Sequence, residues 1–215
     1  MKIKFNTFLI VVFSIICGII SKDYFIGTII LISGLLNVYY ASIGKVYNYF
    51  WGAIFCLLNA YISYINGLYG LAILSLLIYF PSQIQGYLSW KKKIDENDEV
   101  KVREFTLKNS IIITTSCITG SLLFGFLLSK IPTEQLAFLD ASSNAINLCG
   151  IVLMNLRFKE SWIVFLFNNV VDLIIWIINF INKSPNATMM LIVSIGYLLI
   201  NIYGLIKWSK SAKEN

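Results

Sequence analysis

Histidine is absent from this chain, and charged residues make up only 13% of its 215 positions. Without imidazole the sequence lacks the commonest general base, a common metal ligand and the usual proton relay near neutral pH. It also has no HExxH pair, no Walker A loop, no serine–histidine pairing and no acidic metal cluster, so neither an enzyme nor a bound cofactor or metal is expected. Cysteine is sparse. Cys17, Cys56, Cys117 and Cys149 each fall inside an apolar run with no CxxC spacing, and read as small buried apolar residues.

What is present is apolar surface. Hydrophobic residues make up 58% of the chain and the mean hydropathy is +0.76, well beyond the roughly 45–50% typical of soluble domains. The apolar runs are continuous rather than alternating, which excludes a β-barrel and implies an all-α membrane protein. Eight spans are expected, at about 6–21, 24–44, 47–66, 69–90, 110–130, 134–157, 160–182 and 187–208. The basic residues test that count. With both termini on the cytoplasmic side, fourteen Lys and Arg lie inside and only Lys22, Lys130 and Lys183 lie outside, a strong positive-inside bias. The net charge of +6 then reports topology and contact with anionic lipid rather than binding of nucleic acid. Lys2 and Lys4 followed by the apolar run Phe8–Ile20 have the look of a signal peptide. A retained helix over 1–23 is the favoured reading, and cleavage would leave the topology of the rest unchanged.

One pattern occurs twice. Residues 79–90 read YFPSQIQGYLSW and residues 197–208 read YLLINIYGLIKW. Tyr79, Gln83, Gly86 and Trp90 meet Tyr197, Asn201, Gly204 and Trp208 at an offset of 118, as Asn37 meets Asn155. The amide, glycine and tryptophan share one helix face. The chain therefore divides into a triple-helix repeat over 24–90, a cytoplasmic loop at 91–109, a linker helix at 110–130, a second triple at 134–208 and a tail at 209–215. An odd number of linking helices makes the triples parallel, a 3+1+3 plan. The middle helices do not keep the offset, and the longer outer loop Asn182–Ala187 explains part of this. The segment 91–108, KKKIDENDEVKVREFTLK, reads as a solvated mixed-charge connector.

Polar residues at membrane depth are costly and face the bundle interior. They form stripes here: Asp140, Ser143, Asn144 and Asn147; Asn169, Asp172, Trp176 and Asn179; Asn59 and Ser63. Single members of such a set serve as glue between helices. The whole set, with Trp51, Trp90, Trp162, Trp176 and Tyr79 near it, suits a neutral, hydrogen-bonding, aromatic solute such as a sugar-carrying heterocycle. Asp172 can meet a ribose hydroxyl or a cationic ring, or cap a helix. Asp140, near the outer end of its span, suits a structural or gating role. Pro81 should free the Leu77 carbonyl and kink its helix.

At these residues the chain resembles the PnuC family of nicotinamide riboside transporters. SGLLNVYYASIGKVYNYFWG at 33–52, through Gly44, Lys45, Asn48, Tyr49 and Gly52, is similar to the family's opening. FPSQIQGYLSW at 80–90 resembles its Phe-Pro-x-Gln-x-x-Gly-Trp-x-x-Trp stretch, and Leu139, Asp140, Ala141, Leu153, Met154, Arg157, Glu160 and Trp162 match a third and a fourth element. The resemblance covers about 24–208. It implies a fold like that of the SWEET sugar transporters, a homotrimer in the bacterial plasma membrane, and facilitated diffusion of a vitamin precursor that a cytoplasmic kinase then traps. Carried over by motif, substrate contacts fall to Gln83, Tyr87, Asn144, Asn169 and Asn201. Trp51, Asn59, Tyr79, Asp172 and Tyr197 complete the expected site. Tyr87 stands where the family has Trp, Leu71 where it has Asp, and Ser75 where it has Asn. Relatives for thiamine, riboflavin and deoxynucleosides leave those solutes as alternatives. A binding subunit that needs an ATPase partner is the alternative of another class.

Overall fold

The computed structural model describes residues 2–23, 25–96, 98–104 and 136–214, with scattered positions between 111 and 130. Seven helices follow in order among them: α1 (Lys2–Ser21), α2 (Ile26–Ser42), α3 (Asn48–Ile65), α4 (Tyr69–Lys91), α5 (Ala137–Asn155), α6 (Ser161–Ile181) and α7 (Ala187–Glu214). The only extended pairing among these residues is two isolated bridges. The span expected at 110–130 lies for the most part outside the described residues. Among the described residues, four helices are long and apolar enough to cross a bilayer: Ile3–Ser21, Tyr69–Lys91, Ser161–Ile181 and Ala187–Lys213. In α3 and α5, buried amides and hydroxyls such as Asn48, Asn59, Ser143 and Asn144 dilute the hydropathy. The segment expected as a tail instead continues α7 through Glu214.

The two triples meet along α2 against α7 and α4 against α5, first helix to third helix at both seams. Hydrogen bonds fix the sense of each seam. Asp23 before α2 accepts from Asn186 before α7, and Lys207 near the end of α7 donates to the Ile43 carbonyl at the end of α2. The Leu71 amide at the start of α4 donates to Asp140 at the start of α5 (3.2 Å). Trp90 at the end of α4 donates to the Met154 carbonyl near the end of α5 (3.0 Å). Both pairs therefore run parallel, as two like-oriented triples require.

The register between the triples differs from the single offset of 118. Gly44 (φ +70°) and Arg157 (φ +68°) make the same left-handed turn, each four residues before a middle helix, an offset of 113. A lone residue past a helix end favours this backbone, at no cost for Gly and at a small one for Arg. The packing repeats at 113 as well. A Cβ on Gly52 would meet Asn37, and a Cβ on Gly150 would meet the Phe165 ring: Asn37 and Gly52 have exchanged sizes with Gly150 and Phe165. The third helices keep 118, since a Cβ on Gly86 would meet the Tyr49 ring and one on Gly204 the Trp162 ring. The five residues enter at the end of the second triple away from the basic turns, where α6 is longer than α3 (21 against 18 residues) and its following loop is longer too. Asn37 and Asn155 are thus not equivalent, for Asn155 sits a turn closer to the basic end.

Pro81 does not break α4. The distortion takes the form of a π turn at Ser75–Tyr79, where the Phe80 amide reaches the Ser75 carbonyl. Ser82 Oγ donates to the Ile78 carbonyl (2.7 Å), one residue past the Leu77 carbonyl that Pro81 leaves without its usual amide donor.

The connector is also not a free solvated linker. Ile94 bridges Val100, and the Val100 amide donates to the Gly44 carbonyl (2.9 Å). The Arg103 amide donates to the Arg157 carbonyl (2.8 Å), and the Lys159 amide returns a bond to the Arg103 carbonyl (3.0 Å). Val100 and Val102 are buried against Trp90, Trp162 and Trp208. Residues 94–96 and 98–104 form a strap pinned to the basic turns of both triples, with pairs Lys45–Asp98, Lys159–Glu104 and Lys207–Glu99 outside it.

Candidate binding cavity

Between the triples lies a cavity of about 150 Å³. At roughly 15 Å³ per water-sized unit, it has room for on the order of ten such units, which suits a small organic solute better than a bare ion. Its wall draws on α2 to α7, so neither triple forms it alone. Asn37, Asn59, Gln83, Asn147, Asn169 and Asn201 supply amides, and Tyr79, Trp162, Trp176 and Tyr197 supply aromatic faces.

Several of these groups are tied to one another. Asn59 donates to Ser75 Oγ (3.1 Å), and Asn201 donates to the Asn169 oxygen. Ser143 donates to Asp172 Oδ1 (2.5 Å) and Asn168 to Asp172 Oδ2 (2.7 Å). Tyr79 is held from behind, its hydroxyl donating to the Asn144 oxygen (2.9 Å), while Asn144 donates to Asp140 Oδ1 (2.7 Å). Asp140 thus fastens α5 to the start of α4 and does not line the cavity.

Other groups are uncommitted. The Gln83 amide makes only long contacts, 3.4 Å to the Tyr79 carbonyl and 3.9 Å to Cys56 Sγ. Asn48 Oδ1, Trp162 Nε1 and Asn168 Oδ1 are buried in the wall with no partner among the described residues. A buried polar atom left unpaired costs about 1–3 kcal/mol. Three on one wall mark where a polar solute or water is needed.

Of the ten expected site residues, Asn59, Tyr79, Gln83, Asn169, Asp172, Tyr197 and Asn201 line the cavity. Trp51, Tyr87 and Asn144 stand off it. Trp51 packs edge-on to the exposed Phe50 (5.3 Å between centroids). Tyr87 is exposed beneath Lys91, because the inward stripe of α4 runs through Tyr79, Gln83, Gly86 and Trp90. Asn144 is buried behind Tyr79 and positions it. Leu71 and Ser75, two of the three departures from the family pattern, both line the cavity. Sequence reasoning missed Asn37, Asn48, Ser143, Asn168 and Gly52 as wall residues. Asn37, Asn48 and Gly52 lay in motifs already singled out, and Ser143 in a named stripe.

Apolar clusters flank the cavity. On the side of the basic turns, Tyr49, Trp90, Trp162 and Trp208 interlock, with centroid separations of 5.1 Å for Tyr49–Trp90 and 5.6 Å for both Trp90–Trp208 and Trp162–Trp208. On the other side lie Ile30, Leu68, Leu71, Ile175 and Met190.

Residues 24–210 match the family described as Nicotinamide mononucleotide transporter. Among similar proteins, the nicotinamide riboside transporter PnuC of Neisseria mucosa is 28% identical over 206 residues, 92% of this chain and 76% of that protein. The PnuC of Haemophilus influenzae is 29% identical over 197 residues, 90% of this chain and 83% of the relative. The crystal structure of the vitamin B3 transporter PnuC superposes with a TM-score of 0.86 at 25% identity, covering 97% of this chain and 90% of that one.

Proposed function

The chain belongs to the nicotinamide mononucleotide transporter family, a family of membrane transporters and not enzymes, and on that premise we propose that it carries nicotinamide riboside, or a nucleoside-like vitamin precursor of that size, by facilitated diffusion. The observation that carries this reading is the composition of the cavity wall. It holds amides, hydroxyls and aromatic rings, with no Lys or Arg among its described residues. Amides present donors and acceptors to a ribose and a carboxamide, and the rings offer faces to a heterocycle. A mononucleotide would bring a phosphate of charge near −2 into a wall with no cation to receive it. The riboside is therefore the better fit, and it is also the solute for which the similar PnuC proteins are named.

The arrangement proposed is 3+1+3 with an additional N-terminal helix, eight spans in all, both termini cytoplasmic, in the inner membrane and as a homotrimer. Parallel seams α2–α7 and α4–α5 and the strap at the basic end support it. Substrate contacts are assigned to Gln83, Asn59, Asn169, Asp172 and Asn201, with Tyr79, Trp176 and Tyr197 as ring partners. The triples rock about this site, and phosphorylation inside the cell holds the product there, since a charged phosphate finds no route back.

A thermal-shift screen of the purified protein against nicotinamide riboside, nicotinamide mononucleotide, thiamine, riboflavin and deoxynucleosides tests the reading. Only a ligand of the folded state raises the melting temperature by mass action. The expected result is a shift with the riboside and none with the mononucleotide. A shift with thiamine or a deoxynucleoside alone would replace the substrate.

A further inference from the structure

We propose that Asp172 makes this cavity select a heterocycle bearing a fixed positive charge, as an N-alkylated pyridinium does, over the neutral ring of the same shape; this inference rests on the functional reading above. Asp172 is the one charged side chain among the described residues that line the cavity. Both of its oxygens accept hydrogen bonds, from Ser143 and Asn168. Asn168 spends one amide hydrogen there, and its Oδ1 is buried without a partner among the described residues. That corner of the wall thus gathers a carboxylate and an unpartnered amide oxygen, two centres of negative potential. Trp176 follows one turn later on α6, buried and lining the same cavity, and an indole face adds attraction for a cation.

The internal symmetry isolates the charge from the scaffold. At the offset of 113 that relates the middle helices, Asp172 corresponds to Asn59, which also lines the cavity and bonds a serine. An amide therefore suffices to hold this position in the fold. The carboxylate contributes something an amide does not, namely a negative charge beside the solute.

The test compares equilibrium binding of nicotinamide riboside with that of its neutral 1,4-dihydro form, to the full-length wild-type protein and to Asp172→Asn. A counter-charge in a partly wet site is worth roughly 10- to 100-fold in affinity. The wild type should favour the cation by at least about 10-fold. Asp172→Asn should weaken binding of the cation and bring the two affinities within about 2-fold. Should that variant not fold, Asn59→Asp supplies the reciprocal test, in which a second carboxylate must raise the preference for the cation. Equal wild-type affinity for both rings, or a preference unmoved by the variants, overturns the inference and leaves the proposed function standing. No binding of either ring to the wild type overturns both.

Discussion

Gly52→Ala puts a single methyl group where the cavity can least accept it. A Cβ at this position would overlap both the Gln83 and the Asn37 amides. Opposing terms set the stability change. Alanine in a helix interior is favoured over glycine by about 1 kcal/mol, while an overpacked methyl costs about 1–3 kcal/mol where neighbours cannot yield. Here one neighbour can. Gln83 is half-buried and held only by contacts of 3.4 and 3.9 Å, so its amide swings aside, while Asn37 must shift against its bond to the Asn48 carbonyl (2.9 Å), and the net loss stays at the lower end of that range. Binding has no such compensation. Displacing an amide that pairs with a buried solute costs about 1–3 kcal/mol, roughly 5- to 150-fold in affinity. The variant should melt within a few degrees of wild type and bind nicotinamide riboside at least about 5-fold more weakly, as read by differential scanning fluorimetry and calorimetric titration of the same preparations. Unchanged affinity in a folded variant would refute the placement of Gln83 in the site.

Other perturbations test separate parts of the account. Asn201→Ala strands the Asn169 oxygen and should weaken riboside binding by about 1–3 kcal/mol in the same titration, an effect that Tyr87→Ala, outside the cavity, should not share. Trp90→Ala removes a fully buried ring and its bond to the Met154 carbonyl, and should destabilise the protein by about 3–5 kcal/mol in a reversible unfolding assay; a small loss would mean that the indole is only an interfacial anchor. Val102→Asp buries a carboxylate in the aromatic cluster under the strap, so its melting temperature should fall well below that of wild type, and a neutral outcome would return residues 94–104 to the status of a solvated linker. Lys207→Met breaks a half-exposed pair with Glu99 and should shift stability by no more than about 1 kcal/mol.

The helices were readable because a bilayer demands long apolar runs, and the described helices begin and end within a few residues of the expected spans. The third helices could be paired from sequence because Tyr79, Gly86 and Trp90 recur with identical chemistry in the second half. The first and middle helices could not, because five residues added at one turn away from the basic end shift the register and each contact is rebuilt with different side chains. Asn37 over Gly52 becomes Gly150 over Phe165, and Tyr49 becomes Trp162. The strap was hidden by its composition. Only two buried valines stand among many charges, too few to produce an alternating signal, and what holds them is backbone bonding to distant turns. Trp51, Tyr87 and Asn144 stand off the cavity because residue type names what a wall needs, while a rotation of tens of degrees about the helix axis decides whether the side chain reaches it.

The central claim is that this chain by itself passes its solute down a gradient. Uptake of labelled nicotinamide riboside into proteoliposomes holding only the purified protein measures it directly. Saturable uptake that is indifferent to imposed proton and sodium gradients, and that equilibrates without accumulation, is the expected result. Strict dependence on either ion, or transport only once an ATPase is supplied, would contradict it.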